Sequence, residues 1–196
     1  MLDEEKVVAA KHLERINRYT SIETGIYVDG ELIHFHDTML FDDELSVSLP
    51  VTFKDMKPEE ARKKYFSEQR PVIIKTNEDG SVNFCFNMID KCVMAEQLDA
   101  VIQDFYRVLK RFQPMSVCLD TGSDPENETP SAWMEFISNA LNENIYNALT
   151  IYPVGEKLLM AMFNCPFDKR TKWVNCLSQI RKSVILCNNK KKRDIS

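Results

Sequence analysis

Cys165 is the first residue to test for chemistry. It closes the run LLMAMFNC, stands directly before Pro166, and has Lys169 and Arg170 nearby in sequence. A nucleophilic cysteine needs its pKa lowered by a cation, an imidazole or a helix N-terminus. The bases and an expected following helix offer that. Strand parity argues the other way. Cys165 shares a face with Leu159, Ala161 and Phe163, and the three histidines lie at positions 12, 34 and 36, far away in sequence. Free cysteine is among the most buried residue types, so a packed thiol is expected here and at Cys85 and Cys176. Cys187 is expected to be the exposed thiol. No two of the six cysteines have C-x-x-C spacing, so zinc-knuckle and redox motifs are absent and the thiols should be free in a reducing compartment.

His34 and His36 flank Phe35, an alternation that puts two imidazoles on one strand face. Such a pair can chelate Zn²⁺ or Ni²⁺, with Asp37, Asp42 and Asp43 as oxygen donors. A structural zinc site needs four ligands, so the expectation is a hydrated strand face, with a metal protein or enzyme built on His34, His36 and the nearby acids as the alternative. Asp42, Asp43 and Glu44 lack the spacing of a calcium loop and read as a solvated turn. No phosphate loop, dinucleotide fingerprint, nucleophile elbow or H-E-x-x-H occurs. The chain is therefore expected to be no enzyme and to carry no cofactor. Its nine methionines read as adaptable core filler, with a methionine-lined groove as the alternative.

Charge is distributed unevenly. From Tyr19 to Phe53 there are seven acids (Glu23, Asp29, Glu31, Asp37, Asp42, Asp43, Glu44) and no Lys or Arg. From Lys169 to Arg193 there are nine bases and no acid, so the net charge of −5 hides a dipole. Complementary patches steer protein partners, which makes Asp29, Glu31, Asp37, Asp42, Asp43 and Glu44 candidate partner-binding residues. The KKKR tail admits a nucleic-acid or anionic-surface reading, but aromatics for base stacking are not interleaved with the bases.

These residues need a scaffold, and 196 residues suffice for a buried core without staples. No apolar run approaches the ~20 residues of a membrane span. The acidic start MLDEEK is unlike a signal peptide, so a cytoplasmic protein is expected. Residues 3–19 predict a helix. Asp29-Gly30, Asn77 to Gly80 and Gly155-Glu156 each predict a hairpin turn. LSVSL (45–49) alternates as a strand with one wet face. Further strands are expected at 72–76, 81–89, 115–120, 132–138, 145–154 and 157–164, with a polar loop over 121–131. Helices are expected to open at Pro58, to span 95–112 with a stripe running from Leu98 to Phe112, and to span 169–186 with Asp168 as cap and Val184 ending the stripe. Strands 145–154 and 157–164 are apolar on both faces, so both faces must be covered. The expected fold is α+β: a three-layer α/β/α sandwich on a mostly antiparallel sheet. Residues 1–24 would form a helical extension, 25–187 one domain and 188–196 a basic tail.

This order resembles the PsbP-like superfamily, which includes the photosystem II extrinsic subunit, a Ran-binding import factor and DcrB-type bacterial proteins. The resemblance runs over about 44–186. It is carried by Leu45 to Pro50 with Phe53, the Pro58-Glu59-Glu60 helix, the NEDG hairpin, the 95–112 helix, WMEFIS, YNALTIYPVGEKLLMAMFNCP and the Trp173 helix. It implies a non-catalytic binding module, an adaptor, chaperone or assembly factor, with an unidentified protein partner.

Overall fold

The structure is a computed structural model that describes residues 19–28, 30–65, 70–140 and 143–187. The expected helix over 3–19, Asp29 and the basic tail thus lie outside the described residues, Tyr19 excepted. In chain order the first strands are β1 (Thr20–Ser21), β2 (Gly25–Val28), β3 (Glu31–Ile33), β4 (Phe35–Leu40), β5 (Leu45–Pro50) and β6 (Lys54–Asp55). Helix α1 (Pro58–Lys64), strands β7 (Ile73–Thr76) and β8 (Asn83–Ile89), and helix α2 (Leu98–Phe112) follow. The chain closes with β9 (Val117–Asp124), β10 (Ser131–Asn139), β11 (Asn144–Val154), β12 (Lys157–Pro166), α3 (Arg170–Lys182) and β13 (Ile185–Leu186). The fold is α+β, and every strand pair among the described residues is antiparallel.

The chain divides into two compact units, Met1–Thr52 with Thr171–Ser196, and Phe53–Arg170. The first unit holds two three-stranded sheets, ordered β1-β2-β3 and β13-β5-β4. Val28 pairs with Glu31, and Gly30 between them has φ +82°, the left-handed conformation that glycine adopts at no steric cost. LSVSL is a strand as expected: Leu45, Val47 and Leu49 are buried, Ser46 and Ser48 half-buried. It does not join the main sheet, because β4 and β13 occupy its two edges. Pairing of Ile185–Leu186 with Ser46 and Leu45 draws the chain out of the helix early. The last helix therefore stops at Lys182 rather than 186, and Val184 is buried beyond its end. Asp168 lies within a 3₁₀ turn, Phe167–Lys169, rather than at a cap.

The second unit holds one seven-stranded sheet, ordered β6-β7-β8-β12-β11-β10-β9. Strands β11 and β12 are interior, as their two apolar faces required. On one face Leu149, Ile151 and Leu158 pack with Leu98, Val101 and Ile102 of α2. On the other, Tyr146, Tyr152, Leu159, Phe163 and Cys165 are buried as well. The hairpin turns at Asn77–Gly80 and Gly155-Glu156 form as expected, with Gly80 and Gly155 at φ +73° and +59°.

Two expectations need correction in this unit. The loop over 121–131 is shorter, because β9 continues through TGSD to Asp124. An edge strand answers to a single partner and needs no alternating apolar face, so polar residues there disguise it. Helix α2 follows a 3₁₀ turn, Ala95–Gln97, and its burial fades along its length: Phe105 and Leu109 are half-buried and Phe112 is 79% exposed.

Candidate functional site

The thiols come first. Cys85, Cys165 and Cys176 are buried and Cys92 is the exposed cysteine, whereas Cys187, expected outermost, is half-buried. Burial pushes the Cys165 thiol up to about 12, with Asp168 adding to the rise and Lys169 opposing it. Burial likewise takes Cys176 to about 12 and Cys85 to about 11. None is a thiolate at neutral pH, so Cys165 is a packed thiol, as its parity implied.

The histidines and acids belong to the first unit. His34 is not in a strand: it sits in the break between β3 and β4, and its carbonyl accepts from Val51 N–H at 2.9 Å. His36 lies in β4 opposite Leu49, with its Nε2 3.3 Å from the Thr38 hydroxyl. Among the described residues no three His, Cys, Asp or Glu side chains converge as a metal-binding group. Glu31, Asp37, Asp42 and Asp43 are exposed, and Asp37 accepts a 2.7 Å hydrogen bond from the Ser48 hydroxyl. Glu44 is half-buried, and its backbone carbonyl accepts from Cys187 N–H. Phe41, Asp42 and Asp43 have φ of 53°, 52° and 64°, so three successive side-chain-bearing residues in the β4–β5 turn are left-handed.

The second unit contains what the sequence did not announce. Asn83, Asn164 and Asn147 stand directly opposite one another across β8, β12 and β11, and Thr76 of β7 stands opposite Asn83. This polar file crosses the sheet on the face that carries α2. All four residues are buried. Unpaired, each amide would cost a few kcal/mol. They are paired instead: Thr76 Oγ1 donates to Asn83 Oδ1 at 2.8 Å, and Asn83 Nδ2 donates to Asn164 Oδ1 at 2.9 Å. Asn164 Nδ2 in turn donates to the Tyr65 hydroxyl at 3.1 Å. That hydroxyl lies 3.2 Å from Cys85 Sγ, and its burial raises its pKa.

Beside the file lies a cavity of about 360 Å³. Its floor includes Asn147, Leu149, Met160 and Met162, and Tyr65 and Leu109 stand at its sides. The methionine-lined groove admitted as an alternative is thus present in part, at Met160 and Met162.

A third feature is apolar and outward-facing. Val108 (52% exposed), Phe112 (79%), Met115 (75%), Val117 (53%) and Leu119 (38%) follow one another along the end of α2, the turn after it and the start of β9. Helix α2 packs on β9. Strand β9 ends the sheet, so among the described residues no strand pairs along its outer edge.

Comparisons with known proteins address the fold. No family model matches the chain, and no curated protein matches its sequence. Among solved structures, cyanobacterial PsbP (CyanoP) from Synechocystis sp. PCC 6803 is similar at a TM-score of 0.59 and 7% identity, over 78% of this chain and 92% of that one. The Saccharomyces cerevisiae Ran-binding protein Mog1p is similar at 0.52 and 10% identity, over 81% and 98%. LpqN of Mycobacterium tuberculosis, described as involved in cell envelope biogenesis, is similar at 0.51 and 10% identity, over 85% and 96%. The chain therefore has the PsbP-like fold that its element order resembled. At these identities the likeness speaks for fold alone.

Proposed function

We propose that this chain is a non-catalytic protein-binding module, an adaptor, chaperone or assembly factor, which takes its partner at the apolar end of α2 and the outer edge of β9. The observation that carries this reading is the run of exposed apolar side chains from Val108 to Leu119, with Phe112 and Met115 at 79% and 75% exposure. Apolar surface gathered in this way marks contact surfaces, where singly scattered residues would not. The outer edge of β9, along which no described strand pairs, offers backbone hydrogen bonds to an extended segment. A fold shared with a Ran-binding protein supports the same direction. The exposed acids Glu31, Asp37, Asp42 and Asp43, with Asp29 and Glu44 beside them in sequence, form the second contact surface of the proposal and favour a partner with a basic patch.

The basic end of the chain fits a nucleic-acid reading less well. Lys169 pairs with Asp79 at 3.5 Å and Arg170 with Glu135 at 3.3 Å, so the first bases of that stretch are neutralised within the second unit. The test is a photo-crosslinker at position 117, in otherwise native protein and in Phe112→Ser/Met115→Ser. A partner captured by the first and lost from the second supports the reading. Capture that is indifferent to the double substitution, or none at all, overturns it.

A further inference from the structure

The cavity in the second unit has no part in that reading, and its wall specifies an occupant. We propose that it binds a small uncharged molecule that carries carbonyl or amide groups on an apolar body. Among the described residues, none that lines it is charged at neutral pH. A charged ligand would give up its hydration there without gaining a counter-ion, a loss that no neutral hydrogen bond restores.

The hydrogen bonds already made show what is left to offer. Asn164 is spent on Asn83 and Tyr65, so it serves as wall. Asn87 Oδ1 accepts from Val72 N–H at 2.8 Å, which leaves its NH₂ to donate. Gln113 Oε1 accepts from the Ser116 hydroxyl at 3.2 Å, which leaves a second NH₂. Asn147 gives its NH₂ to Ser138 Oγ and the Ile145 carbonyl, which leaves its own carbonyl oxygen to accept. Two donors and an acceptor around an apolar floor complement a neutral amide or a related carbonyl compound. Met160 and Met162 provide that floor and can adapt to the shape of the apolar body. The volume, about 360 Å³, is at the lower end of the range for small-molecule sites. This is the size class of a single capped amino acid rather than a nucleotide.

The probe we would use is N-acetyl-leucine methylamide, with N-acetyl-leucine as its charged counterpart, read by NMR of the side-chain amide signals. The neutral probe is expected to shift the Asn87, Gln113 and Asn147 signals in a saturable way, and to bind at least about tenfold more tightly than the carboxylate. Asn87→Ala and Gln113→Ala, whose parent side chains are half-buried and exposed, should each weaken binding about three- to tenfold without moving the thermal midpoint. Phe112→Ser/Met115→Ser should bind the probe as the parent does, which separates this site from the proposed protein contact. Unmoved amide signals up to the probe's solubility limit, equal affinity for the carboxylate, or loss of binding in Phe112→Ser/Met115→Ser would each overturn the proposal.

Discussion

The β4–β5 hairpin and the β11–β12 hairpin are both antiparallel ribbons closed by short turns, yet they handle polar residues in opposite ways. In the first, Leu45, Val47 and Leu49 face inward, Ser46 and Ser48 are half-buried, and Asp37, Asp42 and Asp43 remain in water. Their hydration is never surrendered, so they need no fixed partners. In the second, both faces are buried, and the polar residues Asn147 and Asn164 are enclosed with everything else. Enclosed amides must find fixed partners: Asn164 accepts from Asn83, its register partner on β8, and Asn147 donates to the Ser138 hydroxyl and the Ile145 carbonyl. The lesson is that an acidic surface is a matter of composition, whereas an amide file is a matter of alignment. Substitutions should therefore be forgiven in one region and punished in the other.

The largest effect is expected at the file. Asn164→Leu strands the Asn83 amide and deprives the Tyr65 hydroxyl of one of its two partners, and urea unfolding should record a loss of about 3 kcal/mol. The matched change in the outer hairpin, Ser48→Ala, removes a hydrogen bond to the exposed Asp37 and should cost about 0.5 kcal/mol or less. Equal losses would erase the distinction. Next is Gly122→Ala on β9. Its added Cβ would stand 2.3 Å from the Trp133 ring, which lies over the glycine, so about 2 kcal/mol should be lost and Trp fluorescence should change.

The third effect is in pH. The folded-state pKa values of Cys85, Cys165 and Cys176 are raised to about 11, 12 and 12 from an ordinary thiol value near 9. Above pH 9 the unfolded chain releases these protons while the folded chain keeps them. Stability contributed by the neutral thiols is thus complete below pH 9 and falls as pH rises from 9 towards 12. Urea midpoints across that range should decline, and a Cys85→Ala/Cys165→Ala/Cys176→Ala variant should flatten the decline. At pH 8 a thiol reagent should modify Cys92 ahead of these three. The smallest effect is expected in the turn: Asp42→Gly relieves a left-handed residue at φ 52° and should stabilise by about 0.5 kcal/mol.

What could be read in advance follows the same division. Hairpins announced themselves through Gly30, Gly80 and Gly155, because a positive φ selects the residue locally. The interior position of β11 and β12 could be read from apolar residues at every parity, because burial on two faces leaves no place for alternation. The asparagine file could not, even though Asn83, Asn147 and Asn164 each interrupt an apolar strand. Each interruption is visible alone, but their mutual alignment depends on a pairing between β8 and β12 that no local pattern encodes. The hint available was the recurrence of asparagine in three strands that are otherwise mostly apolar. The extension of β4 beyond His36 was hidden by its exposed Asp37 and Met39, and that of β9 beyond Asp120 by its polar TGSD, since edge strands escape the burial that writes periodicity into sequence. Phe112 misled in the opposite sense. Its helical spacing is that of a core residue, and spacing does not say how far along a helix the cover extends.

The pairing of β8 with β12 also sets the tempo of folding. Strands β9 to β12 form a meander of consecutive neighbours that can zip up turn by turn, but Asn83 meets Asn164 across a separation of 81 residues. Closing a chain segment of that length costs about 4 kcal/mol of entropy before any contact rewards it, which assigns the docking of β7 and β8 to a late, slow step. The cavity, with walls drawn from both sides of that seam, comes into being only when the last strands arrive.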